Sequence, residues 1–250
     1  MYRQVNGATT YCYTGGKAFD PAKPTVVFIH GVVNDHSVWA LQSRYLANHG
    51  FNVLAVDLPG HCRSGGEAPS SVEAAADFVG ALLDAAGAQT AALVGHSWGS
   101  LIALEAAARL QTRISHLALV GTAFPMPVAP AMLDAALNAP EKAIKMVQVF
   151  SRSTLAPPSG AGMWVYGAGL ALGRRVLRSN PQVNLLHRGF VACDSYANGL
   201  TAIAQITCPV LFALGAQDQM TPPKAAQALI ASARAAGKTV HVAHLPVGHN

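Results

Sequence analysis

The stretch Ala91-Ala92-Leu93-Val94-Gly95-His96-Ser97-Trp98-Gly99 decides the reading of this chain. Its first four residues predict a buried strand, and 98–110 carries helical spacing. Between them lies G-x-S-x-G. Alone that pattern is weak: with glycine and serine each near 7% of residues, chance produces it in about one chain in ten of this size. Set between a strand and a helix, it predicts a tight turn with a serine at its tip. The positions two before and two after that serine must be small, which Gly95 and Gly99 satisfy. The helix start then points free N–H groups toward the Ser97 hydroxyl. The plain alternative is a glycine-rich turn with an incidental serine.

Working outward, runs rich in Val, Ile and Leu recur at Thr25–Ile29, Asn52–Val56, 117–120, 210–214 and 239–245. They lack strict alternation, as strands buried on both faces of a parallel sheet do. Helical spacing over Val72–Ala86, 98–110 and 223–236 separates several of them, and Ser70-x-x-Glu73 offers a capping box. Asn6-Gly7, between Tyr2–Val5 and 9–13, predicts a two-residue hairpin turn. Strands alternating with helices predict an α/β fold with a mostly parallel, doubly wound sheet. The alternation stops over 124–205, where seven prolines divide helical stretches at 131–137, 141–150 and 165–177. This predicts a helical insertion, 124–205, in a core made of 1–123 and 206–250.

Composition narrows the function. With 250 residues, 51% hydrophobic and only 12% charged, the chain is neither disordered nor a coiled coil. The net charge of +5 comes from 17 basic and 12 acidic residues, with no run of four Lys or Arg, so no nucleic-acid stripe is expected. Cys12, Cys62, Cys193 and Cys208 form neither C-x-x-C nor a metal-ligand spacing. Neither a disulfide framework nor a metal is expected, and reduced thiols point to a cytoplasmic setting. No apolar leader opens the chain. Glycines, prolines and polar residues break the uncharged runs 85–104 and 153–173, so no membrane span is expected. No G-x-G-x-x-G follows the first strand, and no organic cofactor is expected.

A serine hydroxyl needs a base to act as a nucleophile. Among ten histidines, His249 follows the last predicted strand on the loop Pro246-Val247-Gly248, whereas His241 and His244 lie within that strand. Asp218 closes the loop Gly215-Ala216-Gln217 after the run 210–214, at the carboxyl end of a strand where open α/β sheets place their sites. Ser97, Asp218 and His249 are therefore the candidate nucleophile, acid and base, in the chain order that this elbow takes. Asp194 is a weaker rival, because no strand leads into it. The bland readings are a solvated terminal histidine and a turn aspartate before Thr221-Pro222-Pro223. An oxyanion would be held by the N–H groups of Trp98 and Val32, the latter on the loop His30-Gly31-Val32-Val33-Asn34-Asp35. Gly31 permits close backbone approach there. Trp39, Trp164 and Tyr166 are candidate pocket residues, and packing between insertion and core explains them equally.

Together these motifs resemble the α/β-hydrolase superfamily, in its capped serine-nucleophile branch of carboxylesterases, perhydrolases, enol-lactonases and carbon–carbon bond hydrolases. The resemblance spans nearly the whole chain. It rests on His30-Gly31, on Asp57-Leu58-Pro59-Gly60-His61-Cys62-Arg63-Ser64, on the elbow, on Gly215-Ala216-Gln217-Asp218 and on Gly248-His249. It implies a cap over the site, with 124–205 in its place, and a serine esterase acting on a small molecule through an acyl-enzyme. Lactone or carbon–carbon hydrolysis, perhydrolysis and a ligand receptor with slow hydrolysis are the other activities it allows. Ser97 in place of an aspartate separates the chain from dehalogenases and epoxide hydrolases. Cys62 stands where the family usually has glycine. The insertion holds Arg152, Arg174, Arg175, Arg178 and Arg188 with no acidic residue over 151–193, which reads either as a field for anionic substrates or as a solvated outer face. The family continues with a helix after this histidine. An exposed apolar patch beside 239–245 and a loosely held His249 are therefore expected, with a homodimer as one way to cover that patch.

Overall fold

A computed structural model describes residues 1–153 and 165–250. Its strands are β1 (Tyr2–Val5), β2 (Ala8–Tyr13), β3 (Thr25–Ile29), β4 (Asn52–Val56), β5 (Ala91–His96), β6 (Ile114–Val120), β7 (Val210–Gly215) and β8 (Val240–Leu245). They form one sheet in the order β1-β2-β4-β3-β5-β6-β7-β8. β1 and β2 make an antiparallel hairpin, and β2 runs antiparallel to β4. From β4 to β8 every pairing is parallel. Asn6 (φ 50°) and Gly7 (φ 78°) form the hairpin turn, both in the left-handed region that such turns require. β3 and β4 are buried along their whole length, as parallel strands covered on two faces are.

The helices are α1 (Ala40–Asn48), α2 (Val72–Ala86), α3 (Trp98–Leu110), α4 (Pro130–Asn138), α5 (Pro140–Phe150), α6 (Val165–Ser179), α7 (Leu185–Ser195), α8 (Gly199–Gln205) and α9 (Gln227–Ala235). α2 buries Val72, Ala75, Ala76, Val79, Leu82, Leu83 and Ala86 along one face. Its cap corrects the sequence expectation. Ser71, not Ser70, accepts from the Ala74 N–H, while Gly87 (φ 72°) closes the other end in the left-handed form. The expected helix over 223–236 opens as a short 3-10 turn, Pro223–Ala226, before α9 begins. α2, α3, α8 and α9 share the main core with one face of the sheet. On the other face, Trp39 and Ala47 pack on Val26, Phe28, Val53 and Ala55 of β3 and β4.

Between β6 and β7 the chain forms α4 to α8. Met132, Ala135, Ala143, Ile144, Leu170, Leu186 and Phe190 build a second small core there, joined to the sheet side through Val33. α8 differs from its neighbours: Ala202 and Ile203 enter the main core.

Parallel register brings the strand ends level. Ile29 pairs with Gly95, and His96 with Val120. The loops after β3, β5, β6, β7 and β8 thus leave the sheet along one edge, where open α/β sheets carry their sites. On β7 and β8, Leu211 and Leu245 remain 38% and 44% exposed, at opposite ends of the paired strands, with Leu245 at the site edge. His241 and His244 are exposed on β8.

Candidate active site

Ser97 sits between β5 and α3 with φ 55° and ψ −123°. A left-handed backbone is uncommon for serine and costs on the order of 1–3 kcal/mol, so the surroundings must hold it. They do. The Ser97 N–H donates to Val120 O at 2.9 Å. The Ser100 hydroxyl donates to Ser97 O at 2.5 Å. A Cβ on Gly95 would overlap the Gly99 carbonyl, and one on Gly99 would lie 2.6 Å from His30 O. Both glycines are therefore fixed by backbone contact, as the tight turn demands.

His249 is buried, and its Nδ1 lies 2.7 Å from Asp218 Oδ2. Asp218 Oδ1 accepts the N–H groups of Met220 and Thr221, each at 2.8 Å. Burial alone would raise the Asp218 pKa, but the His249 hydrogen bond and charge, with the Thr221 contacts, hold it below the ordinary carboxylate value. Asp218 thus faces the imidazole as a carboxylate.

The main chain of His249 is fastened on two sides. Its N–H donates to Ser151 O at 2.8 Å, and its carbonyl accepts from His96 Nε2 at 2.8 Å. Burial, with His249 close by, pushes His96 down to about 3, so this ring is neutral. The expectation of a loosely held His249 is therefore corrected. Hydrogen bonds from β5 and the end of α5 do the fastening that packing beyond β8 was expected to do. Among the described residues no hydrogen bond joins the Ser97 hydroxyl to His249, whose Nδ1 faces Asp218.

The loop after β3 lies against the elbow. A Cβ on Gly31 would be 3.1 Å from the Ser97 Cβ. His30 Nδ1 donates to Gly31 O at 2.9 Å, and its Nε2 accepts from the Leu58 N–H at 3.2 Å, which braces the loop. Val33 (φ 59°) is a β-branched residue in the left-handed region, a second strained point beside the site. Among the described residues the N–H groups of Val32 and Trp98 have no protein acceptor. Both remain available to an oxyanion.

A cavity of about 1040 Å³ opens beside His249, lined among others by Trp39, His96, Gly121, Gln148, Arg152 and Arg175. Trp39 is thus a lining residue, packed on Phe28 at 4.9 Å and edge-on to His96 at 6.4 Å. Tyr166 is not: it packs into the second core instead. Trp164 lies outside the described residues. Three of the five arginines have carboxylate partners. Arg174 pairs with Glu141, Arg188 reaches Glu67 at 3.8 Å, and Arg175 meets Asp35 at 2.6 Å. The Arg174 and Arg188 pairs follow the outer-face reading, whereas Arg175 turns inward to the buried Asp35. Arg152, Arg175 and Arg178 nonetheless border the cavity.

Asp35, His36 and Asp57 place ligand atoms within 4.8 Å of one another, as a metal site would. Their lone pairs are already engaged, Asp35 by Ser37 and Arg175, and Asp57 by His36 and the Arg63 N–H. A cation beside Arg175 would meet like charge, so the group reads as a brace. Cys62 (φ 47°) takes the left-handed form where glycine would be unstrained. Burial and the nearby carboxylates push its thiol up to about 12, which makes it unreactive. All four cysteines are free.

Sequence reasoning missed Thr221, His96 and Ser151. Thr221 stands three residues after Asp218, a spacing at which an aspartate bonds its own turn, and that was the available signal. Ser151 acts through a carbonyl that no side-chain pattern reveals.

A parallel sheet with a serine elbow, an acid after β7 and a histidine after β8 defines a class. A family model described as alpha/beta hydrolase fold matches residues 24–246. The chain belongs to that family. It is 31% identical over 207 residues to the pimeloyl-[acyl-carrier protein] methyl ester esterase of Chromobacterium violaceum, covering 80% of this chain and 78% of that protein. Shorter matches reach the dihydrolipoyllysine-residue acetyltransferase component of the acetoin cleaving system of Cupriavidus necator (36% over 122 residues) and epoxide hydrolase A of Mycobacterium tuberculosis (38% over 92). These cover 48% and 34% of this chain but only 31% and 28% of the relatives' own length. The enol-lactonase from Burkholderia xenovorans LB400 shares the fold at a TM-score of 0.80 and 23% identity, over 100% of this chain and 92% of its own. No described helix is long and apolar enough to cross a membrane.

Proposed function

We propose that the protein is a serine hydrolase, a carboxylesterase that cleaves esters of small to medium apolar substrates through an acyl-enzyme. The observation that carries this reading is the buried 2.7 Å hydrogen bond between His249 Nδ1 and Asp218 Oδ2, at the sheet edge that also bears Ser97. Ser97 attacks the ester carbonyl while His249 Nε2 takes its proton, and Asp218 stabilises the imidazolium that forms. The N–H groups of Val32 and Trp98 hold the oxyanion, each worth on the order of 2.7–4 kcal/mol in the transition state. His249 then protonates the leaving alkoxide. Water, deprotonated by the same imidazole, releases the acid and restores Ser97. Residues 124–205 act as a cap over a core of 1–123 and 206–250.

A serine at the elbow favours acyl transfer over the carboxylate attack of epoxide hydrolysis. The relative from Chromobacterium violaceum is named an esterase, which supports the same direction. Lactones are internal esters, so the same centre would open them; carbon–carbon hydrolysis and perhydrolysis use the same groups. Free cysteines support a cytoplasmic setting. A homodimer is the remaining expectation; the exposed Leu211 supports it, while Leu245 also lines the cavity beside His249. The test is covalent labelling with a fluorophosphonate, paired with turnover of a short p-nitrophenyl ester. Labelling of the wild type that disappears in Ser97→Ala, with many turnovers per site, is the expected result. Unchanged labelling of Ser97→Ala ends the assignment, and a single slow turnover would indicate a receptor instead.

A further inference from the structure

One hydroxyl beside the candidate acid and base has no part in the mechanism above. The Thr221 side chain is buried, and its Oγ1 lies within hydrogen-bond distance of three groups from three segments. It is 2.9 Å from Gly121 O at the end of β6, 2.7 Å from Asp218 Oδ2, and 2.9 Å from His249 Nδ1. A hydroxyl has one proton and two acceptor sites. It can donate to the carboxylate or to the Gly121 carbonyl while accepting from the Nδ1–H. The imidazole N–H therefore points between two oxygens, Asp218 Oδ2 and Thr221 Oγ1, rather than at one. Gly121 closes the space behind, since a Cβ there would lie 3.2 Å from the His249 ring.

We infer that Thr221 is a positioning residue, which fixes the ring orientation and Nδ1–H tautomer of His249 by tying the imidazole and Asp218 to the end of β6. This rests on the serine-hydrolase reading for its consequence but not for its geometry. Gly121 and His96 bound the ring on its faces, and the second oxygen at Nδ1 narrows its tilt on Asp218 further. With the ring fixed, Nε2 keeps its lone pair toward Ser97 before substrate arrives, which is the preorganisation that a general base needs. The other ionisable groups around this ring are Asp218 from the loop after β7, His96 from β5 (ring centroids 4.7 Å apart) and Arg152 in the cavity lining. None of them supplies a second acceptor to Nδ1.

The test compares Thr221→Val, which keeps the shape without the oxygen, with Thr221→Ser, which keeps the oxygen. On an ester that the wild type turns over, kcat should fall about tenfold in Thr221→Val with KM unchanged, and Thr221→Ser should stay within about twofold of wild type. In nitrogen-15 histidine spectra, with His249 identified by the signal lost in His249→Asn, the Nδ1–H resonance should shift and broaden in Thr221→Val alone. A Thr221→Val resonance like that of the wild type overturns the inference, as does a Thr221→Ser variant as impaired as Thr221→Val. If Thr221→Val does not fold, Thr221→Cys, with a weaker donor of similar size, takes its place under the same outcomes. The spectra need no substrate. A wild type that is not labelled at Ser97 would therefore remove the hydrolase reading while the resonance still judges Thr221.

Discussion

At the residue scale, backbone strain sits on the candidate nucleophile Ser97. Its left-handed backbone is held by Gly95 and Gly99, which touch other backbone where a Cβ would stand. Gly95→Ala should therefore cost more than about 3 kcal/mol and abolish labelling of Ser97, as a lowered thermal midpoint and a fluorophosphonate assay would register. A wild-type melting curve would contradict this account of the turn. Cys62 gives the opposite case. Cys62→Gly relieves a strained φ but adds backbone freedom to the unfolded chain and removes the Sγ–Asp35 contact of 3.4 Å. These terms oppose, and denaturant titration should find a change within about 1 kcal/mol. The candidates Ser97, Asp218 and His249 could be singled out in the sequence because each follows a strand in a fixed order, and the Asp218–His249 contact is the part that the structure shows. Thr221 could not, because a threonine beside an aspartate reads as an ordinary turn residue until its third partner, Gly121, is brought up by the fold.

At the scale of elements, the strands were the most legible part, since two-sided burial writes itself as unbroken apolar runs. α1, α7 and α8 were not read. α1 buries only Ser43 and Ala47 and so shows no apolar stripe. α8 has seven residues, too few for a helical period to emerge. The end of α5 matters more than its sequence suggests. Ser151 O accepts from His249 and Asn250, the Gln219 side chain reaches Arg152 O at 3.2 Å, and Ser153 meets Gln217. A Cβ on Gly248 would lie 2.6 Å from both Ser151 O and the Ser153 nitrogen. Gly248→Ala should push α5 off the histidine loop. The expected result is a fall in kcat of at least about tenfold with a smaller loss in melting temperature. Unchanged kcat would show that the helix end does not align the base.

For the molecule as a whole, acid is the sharpest stress. His30, His61 and His96 are buried, and burial lowers the pKa of each, to about 3 for His61 and His96. In the unfolded chain each binds a proton near pH 6.5. Below that pH the unfolded state holds more protons, so stability falls as pH falls, by up to about 1.4 kcal/mol per pH unit for each histidine. Asp35, held down to about 2 by Ser37 and Arg175 against its burial, adds stability above about pH 4 that disappears between about pH 4 and 2. Unfolding free energy measured from pH 7 to 5 should thus decline well before carboxylates titrate. His96→Asn should flatten that slope, and an unchanged slope would mean that the ring is not kept neutral.

The doubly accepting carbonyl of Ser151 has one more consequence, for how such a chain can vary over time. A contact made by the main chain is indifferent to which side chain stands there but depends on how far along the helix it stands. Substitutions at the exposed positions of α5, away from the buried Ala143 and Ile144, should be borne easily, whereas inserting or deleting one residue between Pro140 and Ser151 would rotate that carbonyl by about 100° about the helix axis and release the histidine. This chain should therefore tolerate change in the spelling of the exposed face of this segment and hardly any in its length.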